Sequence, residues 1–175
     1  GVMALVKQKF PSLSIEEMKA VMMNRAKFLY NGDDAYTMSL QGAGLVQAYD
    51  TLKADAIALP SSFSLGQFQL ATSKKMKKIV TVKNLSAEEK TYTVELTQNK
   101  LMEMQPTKIT VKANSEASVP VYLTVKTSPE KTGLLFHEGL ISLKNGDVTE
   151  MNIPVFGASQ NITNIKAKDL LVHAT

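Results

Sequence analysis

Residues able to do chemistry are few, and their spacing gives them little company. The 175-residue chain holds two histidines, His137 and His173, and no cysteine. Without cysteine there is no thiol nucleophile, disulfide or cysteine-type zinc site. His137 precedes Ser142 and Asp147, the residue types of a nucleophilic triad. No Gly-x-Ser-x-Gly elbow presents a serine, however, so His137 and His173 are expected as solvated side chains on a loop and a tail. Asn31, Asp33 and Asp34 offer the oxygen donors a calcium ion prefers. They lack the alternating spacing of an EF-hand loop, which predicts a plain polar loop. Glu88-Glu89 beside Lys90 reads as a solvated turn, and Met18, Met22 and Met23 as core filler.

Two further stretches could bind rather than react. Gln41-Gly42-Ala43-Gly44-Leu45 places two glycines ahead of a helical pattern. A phosphate cradle needs a third small residue where Gln47 stands, and a βαβ unit around it. The other reading is a tight turn that docks the following helix closely against a neighbour. Lys74-Lys75-Met76-Lys77-Lys78 is the densest charge run. It suits either an anionic surface or a strand edge whose lysines block sheet-to-sheet association. The formal net charge is +4, with Arg25 the only arginine and no tryptophan. Nucleic-acid readers depend on arginine forks and stacking aromatics, so nucleic acid is not an expected partner. No catalytic, cofactor-binding or metal-ligating residue is assigned, and no cofactor is expected.

The elements that must position these residues change character near Ala54–Pro60. Ahead of that point the apolar spacing is helical, and beyond it the period is two. Val2 to about Lys9 is apolar nearly all round until Lys7, which suits a helix inside a larger body. Pro11 closes it. Ser14-Ile15-Glu16-Glu17 is a capping box, with Leu13 and Met18 placed as a hydrophobic staple. Ile15, Met18, Met22 and Ala26 mark one face of the helix that follows. A third helix is predicted from about Gly44 to Ala54, with Leu45, Ala48, Tyr49 and Leu52 as its stripe. Alternation then predicts strands over 78–83, 91–97, 108–113, 118–126, 139–144 and 149–155. Asn145-Gly146 joins the last two as the centre of a type I′ hairpin. Pro120 and Pro154 fall within strands and belong at edges or bulges. Together these signals predict a mainly β chain: an antiparallel sandwich of immunoglobulin or fibronectin type III character, preceded by about three helices. No apolar run reaches the roughly 20 residues that a membrane span needs.

The helical stretches resemble one family. Val2-Met3-Ala4-Leu5-Val6-Lys7-Gln8-Lys9-Phe10-Pro11 resembles the stretch downstream of the catalytic serine in subtilisin-like serine peptidases. Ser14 through Ala26, with its Lys19-Ala20 and Met23-Asn24-Arg25-Ala26 pairs, is similar to that family's next helix. Gln41 through Ala48 is similar to the Gly-x-Gly-Leu-Val segment opening its last helix. Thr81 through Ser86, Tyr92-Thr93-Val94, Ala113-Asn114-Ser115 and Gly139 through Leu143 resemble the fibronectin type III-like module of large cell-envelope subtilases.

The resemblance implies a division at 1–55, the helical end of a subtilase catalytic domain, and 56–157, a fibronectin type III-like sandwich. Residues 158–175 are then a linker or the start of a following module. It implies a non-catalytic C-terminal piece of a secreted or cell-surface serine endopeptidase, its sandwich bracing the catalytic domain or positioning protein substrate. The family's Asp, His and Gly-Thr-Ser motifs are absent here, so no catalytic residue is carried over. The opening Gly1-Val2, with no initiator methionine or signal sequence, reads as an internal start, with Gly-Thr-Ser expected just upstream. The implied partners are the rest of the parent peptidase, protein substrate, and a second copy through the helices of the isolated piece. The alternative is a free-standing adhesion or ligand-binding sandwich capped by its helices. Packing of Val2, Leu5 and Val6 within the chain would favour that alternative, and an exposed apolar patch the peptidase piece. Asn161-Ile162-Thr163 also fits an N-glycosylation pattern.

Overall fold

The computed structural model describes residues 1–27, 30–31, 34–35, 46–128, 130 and 133–162. Among the described residues, three helices lie ahead of the strands of the main sheets: α1 (Val2–Lys9), α2 (Ile15–Asn24) and α3 (Ala48–Leu52). The predicted capping box starts α2, with Ser14 Oγ accepting from Glu17 N at 3.1 Å. Glu17 Oε1 accepts in return from Ser14 N at 3.0 Å. The staple residues Leu13 and Met18 are both buried in one cluster. Of the expected third helix, 44 and 45 lie outside the described residues, as do Gly42 and the rest of the 41–45 segment. Between α2 and α3 a short antiparallel ladder pairs β1 (Tyr30–Asn31) with β2 (Asp34–Ala35).

The remainder forms two sheets packed face to face. One holds β3 (Ala56–Leu59), β5 (Lys74–Asn84), β9 (Glu116–Val125) and β7 (Met102–Met104), in that spatial order. The other runs β4 (Phe63–Leu70), β11 (Val148–Asn161), β10 (Gly133–Asn145), β6 (Lys90–Lys100) and β8 (Thr107–Val111). The six strands read from alternation all form, most of them longer than their apolar core. β3, β4 and β7 are additional. The sheets are antiparallel except for β4, which pairs parallel with β11. The last strand continues past 157 to Asn161.

Period-two patterning builds the core directly. Val80, Val82, Tyr92, Val94, Ile109, Val111, Val121, Leu123, Ile141, Leu143, Ile153 and Val155 are all buried between the sheets. Both prolines sit where, among the described residues, one side of a strand has no ladder partner. β7 reaches only Leu123–Val125 of β9, leaving Pro120 beyond it. β4 joins β11 only from Val155 onward, one residue after Pro154. The β10–β11 hairpin turns one residue later than predicted. Asn145 pairs with Val148, which makes Gly146 and Asp147 the central residues. Gly146 has φ +64, and Asp147 is not among the positive-φ residues. One positive φ, at the first central position, fits a type II′ turn rather than type I′. Gly157 is required for a different reason, since a Cβ there would come within 2.8 Å of the Leu65 Cβ on β4.

Candidate functional site

The seam between helices and sandwich is built on β3, whose alternation serves two cores. Ala56 and Ala58 face the sandwich interior. Ile57 points the other way, into a second cluster with Val6, Leu13, Met18, Ala20, Val21 and Ala54. β3 is an edge strand, so its outer N–H and C=O groups need partners. Asn24, in the last turn of α2, supplies them: its Oδ1 accepts from Ala58 N at 2.8 Å. Its Nδ2 donates to Ala58 O at 3.1 Å. The carboxamide thus stands in for a neighbouring strand. The same Nδ2 lies 3.5 Å from Asn152 O on β11, tying α2 to both sheets.

Charges reinforce the seam at its rim. Lys83 Nζ on β5 meets Glu17 Oε2 at 2.6 Å, and Lys90 on β6 pairs with Asp55. Burial works against the Glu17 carboxylate, but the Lys83 and Ser14 hydrogen bonds outweigh it and hold its pKa below the usual carboxylate value. Beside these pairs lies an open polar cleft of ≈ 500 Å³, lined among others by Arg25, Asp50, Lys53, Asp55, Thr149 and Glu150. Glu150 reaches it because of a β-bulge. Leu143 pairs with Met151 but Lys144 pairs with Thr149, so Glu150 is the unmatched residue and its side chain is re-aimed. Burial lowers the Arg25 pKa, opposed by the nearby Asp55, Tyr92 and Glu150. Burial and the Glu150 carboxylate raise that of the Tyr92 phenol, which stays protonated. No nucleophile lies beside a base here. The lining mixes both signs of charge, with two cationic and three anionic side chains across the helix–sandwich seam.

Away from the seam the helices remain apolar. Val6 is fully buried, and Val2 packs partly against the same cluster. Met3 is 40% exposed, Leu5 45%, Ile15 74%, Val46 46% and Tyr49 69%. One side of the helical segment is therefore satisfied by its own sandwich, and the other presents hydrophobic side chains to solvent. The test posed by Val2, Leu5 and Val6 divides: Val6 packs inward and Leu5 stays out.

The candidates from sequence are scattered. His137 is not solvated: it lies in β10 and is fully buried. Its Nδ1 is 2.9 Å from Leu101 O, its Nε2 is 2.7 Å from Ser159 Oγ, and its ring stacks on Phe68. A carbonyl can only accept, so Nδ1 carries the proton and, in the neutral ring, Nε2 accepts from the Ser159 hydroxyl. Period two places Leu135, His137 and Ile141 on one face, a signal that pointed to burial. Ser142 faces the opposite side of the sheet from His137, bonded to Thr97 Oγ1 and Asn152 Oδ1, each at 2.7 Å. Asp147 is in the exposed turn. Asp33 and His173 lie outside the described residues, as do the side chains of Asn31 and Asp34. Met18 is buried and Met22 packs against the helical cluster. Glu88 and Glu89 are exposed beside the turn organised by Asn84, whose Nδ2 donates to Glu88 O at 2.7 Å. Asn161 is buried and donates to Ser128 O at 2.9 Å, which occupies the amide of the glycosylation pattern. Among the described residues no helix is long and apolar enough to cross a membrane, and no group of three or more metal-ligating side chains converges.

Against known proteins, no family model matches the chain. The chain is 30% identical over 162 residues to the minor extracellular protease Vpr of Bacillus subtilis (strain 168), a match covering 88% of this chain. The chain spans 19% of the length of that relative. The match supports a relationship to the subtilisin-like proteases. Among solved structures, the PapD-like domain 7 of human CEP192 aligns over 62% of this chain and 85% of its own, at TM-score 0.38 and 6% identity. The CupB2 chaperone of Pseudomonas aeruginosa aligns over 67% and 61%, at TM-score 0.38 and 10% identity. At that level these likenesses add nothing to the fold described above.

Proposed function

We propose that this chain is a non-catalytic C-terminal part of a secreted or cell-envelope subtilisin-like serine endopeptidase. Residues 1–55 complete its catalytic domain, and the sandwich from position 56 is a fibronectin type III-like module that braces that domain or positions protein substrate. Residues beyond the last strand link to whatever follows. The observation that carries the reading is the match to the extracellular protease, because 162 aligned residues cannot be confined to either the helices or the sandwich. Geometry adds support. Helices that bury Val6 and Val21 on one side and expose Met3, Leu5 and Tyr49 on another have more apolar surface than their own sandwich can cover.

The coding sequence directly upstream of Gly1 tests this. A Gly-Thr-Ser element within about two helical turns of Val2 is expected if α1 continues backward. A stop codon or an unrelated domain there would overturn the reading. The parent protein should hydrolyse a protein substrate such as casein, and the isolated chain should not. The second reading, a free-standing adhesion or ligand-binding sandwich capped by its helices, draws on the complete burial of Val6 within the chain. Under the first reading, the isolated chain is expected to self-associate through the exposed helix face, which sedimentation would register.

A further inference from the structure

β5 is paired along its length on one side only. β9 lies against Lys74–Lys83, whereas β3 on the other side spans only Thr81 to Asn84. Among the described residues no strand pairs with Lys74–Val80 on the β3 side. In an antiparallel ladder, the N–H and C=O of a residue point the same way, and the direction alternates along the strand. Asn84 N donates toward the β9 side, to Ser115 O at 2.9 Å, and Leu85 N toward the β3 side, to Asp55 O at 2.8 Å. Counting back in twos, Lys75, Lys77 and Ile79 turn their backbone groups to the open edge.

The same stretch carries the charge run. The described ion pairs take Lys83, Lys90, Lys126 and Lys144, and none takes Lys74, Lys75, Lys77 or Lys78. Lys75 and Lys77 are exposed on the outer face beside Tyr122, with Lys75 Nζ 5.0 Å from that ring. Lys74 and Lys78 alternate to the other face, where Lys74 Nζ lies 5.2 Å from the Phe68 ring. Positive charge therefore flanks a row of open backbone groups on both faces. A second copy of the edge would bring the same lysines and be repelled. A linear polyphosphate would answer the charges but has no use for alternating N–H and C=O groups.

The geometry points to the Lys74–Val80 edge as a docking site for an extended, acidic polypeptide segment of a partner. The segment adds as a strand beyond the end of β3, with its carboxylates alternating toward the lysines of the two faces. Ile79, 46% exposed, offers it an apolar contact.

The test titrates the ¹⁵N-labelled chain with a synthetic glutamate–valine peptide of repeating Glu-Glu-Val-Val, which as a strand sets carboxylates on both faces. Saturable binding is expected, weakening with salt, with amide shifts and slowed hydrogen exchange centred on Lys75, Lys77 and Ile79. A peptide of the same sequence, N-methylated at alternate residues, keeps the charge but loses the ladder and should bind at least about tenfold more weakly. The Lys75→Glu/Lys77→Glu double variant should lose about tenfold or more, while Lys108→Glu on β8 should not. No binding of the glutamate–valine peptide would overturn the proposal. So would equal binding of the methylated peptide, or equal binding of polyphosphate with no amide protection, since either reduces the site to a general polyanion surface.

Discussion

The sandwich interior and the helix–sandwich seam are held by different physics. Between the sheets the contacts are made by apolar side chains arriving every second residue, and register follows from that alternation. At the seam a single carboxamide, Asn24, completes the edge of a strand 34 residues away, and a bulge turns Glu150 toward the part-buried Arg25. The first kind of contact tolerates exchange among residues of similar volume. The second depends on individual donors and acceptors whose loss leaves buried groups unpaired. The sandwich should therefore survive damage to the seam, whereas the seam should not survive damage to the sandwich.

Truncating the core should give the largest effect. Ile153→Ala, between the sheets on β11, is expected to cost about 2–5 kcal/mol in denaturant unfolding, and to release the helices along with the strands. Asn24→Ala should come next, at about 1–3 kcal/mol for the stranded Ala58 groups. Its signature is regional: hydrogen exchange should accelerate in α1 and α2 while the β10–β11 amides stay protected. Equal acceleration in both regions would erase the distinction drawn here.

Glu17→Gln keeps the capping box, since its amide oxygen still accepts from Ser14 N, and is expected to cost about 1 kcal/mol or less through loss of the ion pair with Lys83. Because the folded Glu17 pKa is depressed, its stabilisation is present above the ordinary carboxylate pKa and disappears as pH falls through the folded value. The wild-type and Glu17→Gln melting curves should therefore converge in acid. Tyr92 works in the opposite direction. Its raised pKa means that stability is intact below the ordinary phenol range and declines above it. Tyrosinate absorbance from Tyr92 should appear only with unfolding.

Much of the sandwich was legible because its signal is local. Val80 and Val82, Tyr92 and Val94, and Ile109 and Val111 each announce their own strand. The Ser14–Glu17 capping box announces α2 in the same way. β3 was missed because Ala56–Leu59 is a continuous apolar run, apolar on both faces since both faces meet a core. β4 was missed because its partner is β11, far along the chain and parallel, with no turn to advertise the pairing. The seam was less legible still. Asn24 follows Ala20 and Val21 on the buried stripe of α2, a polar residue out of place, but only the fold reveals that the edge of β3 is what it satisfies. The burial of His137 was readable from period two and was obscured by its polarity.

The weakest expected effect in the isolated chain is the most informative. Met3→Asp together with Leu5→Asp alters half-exposed positions and should shift the stability of the lone chain by no more than about 0.5 kcal/mol per site. In the full-length parent the same side chains are proposed to lie against the rest of the catalytic domain, where burying an unpaired carboxylate is costly. Casein hydrolysis by the parent carrying both substitutions is then the direct measurement. A fall of at least about tenfold, with the isolated chain unchanged in melting at a dilution where it is monomeric, is the predicted result. Full activity in the doubly substituted parent would contradict the assignment of these helices to a catalytic domain.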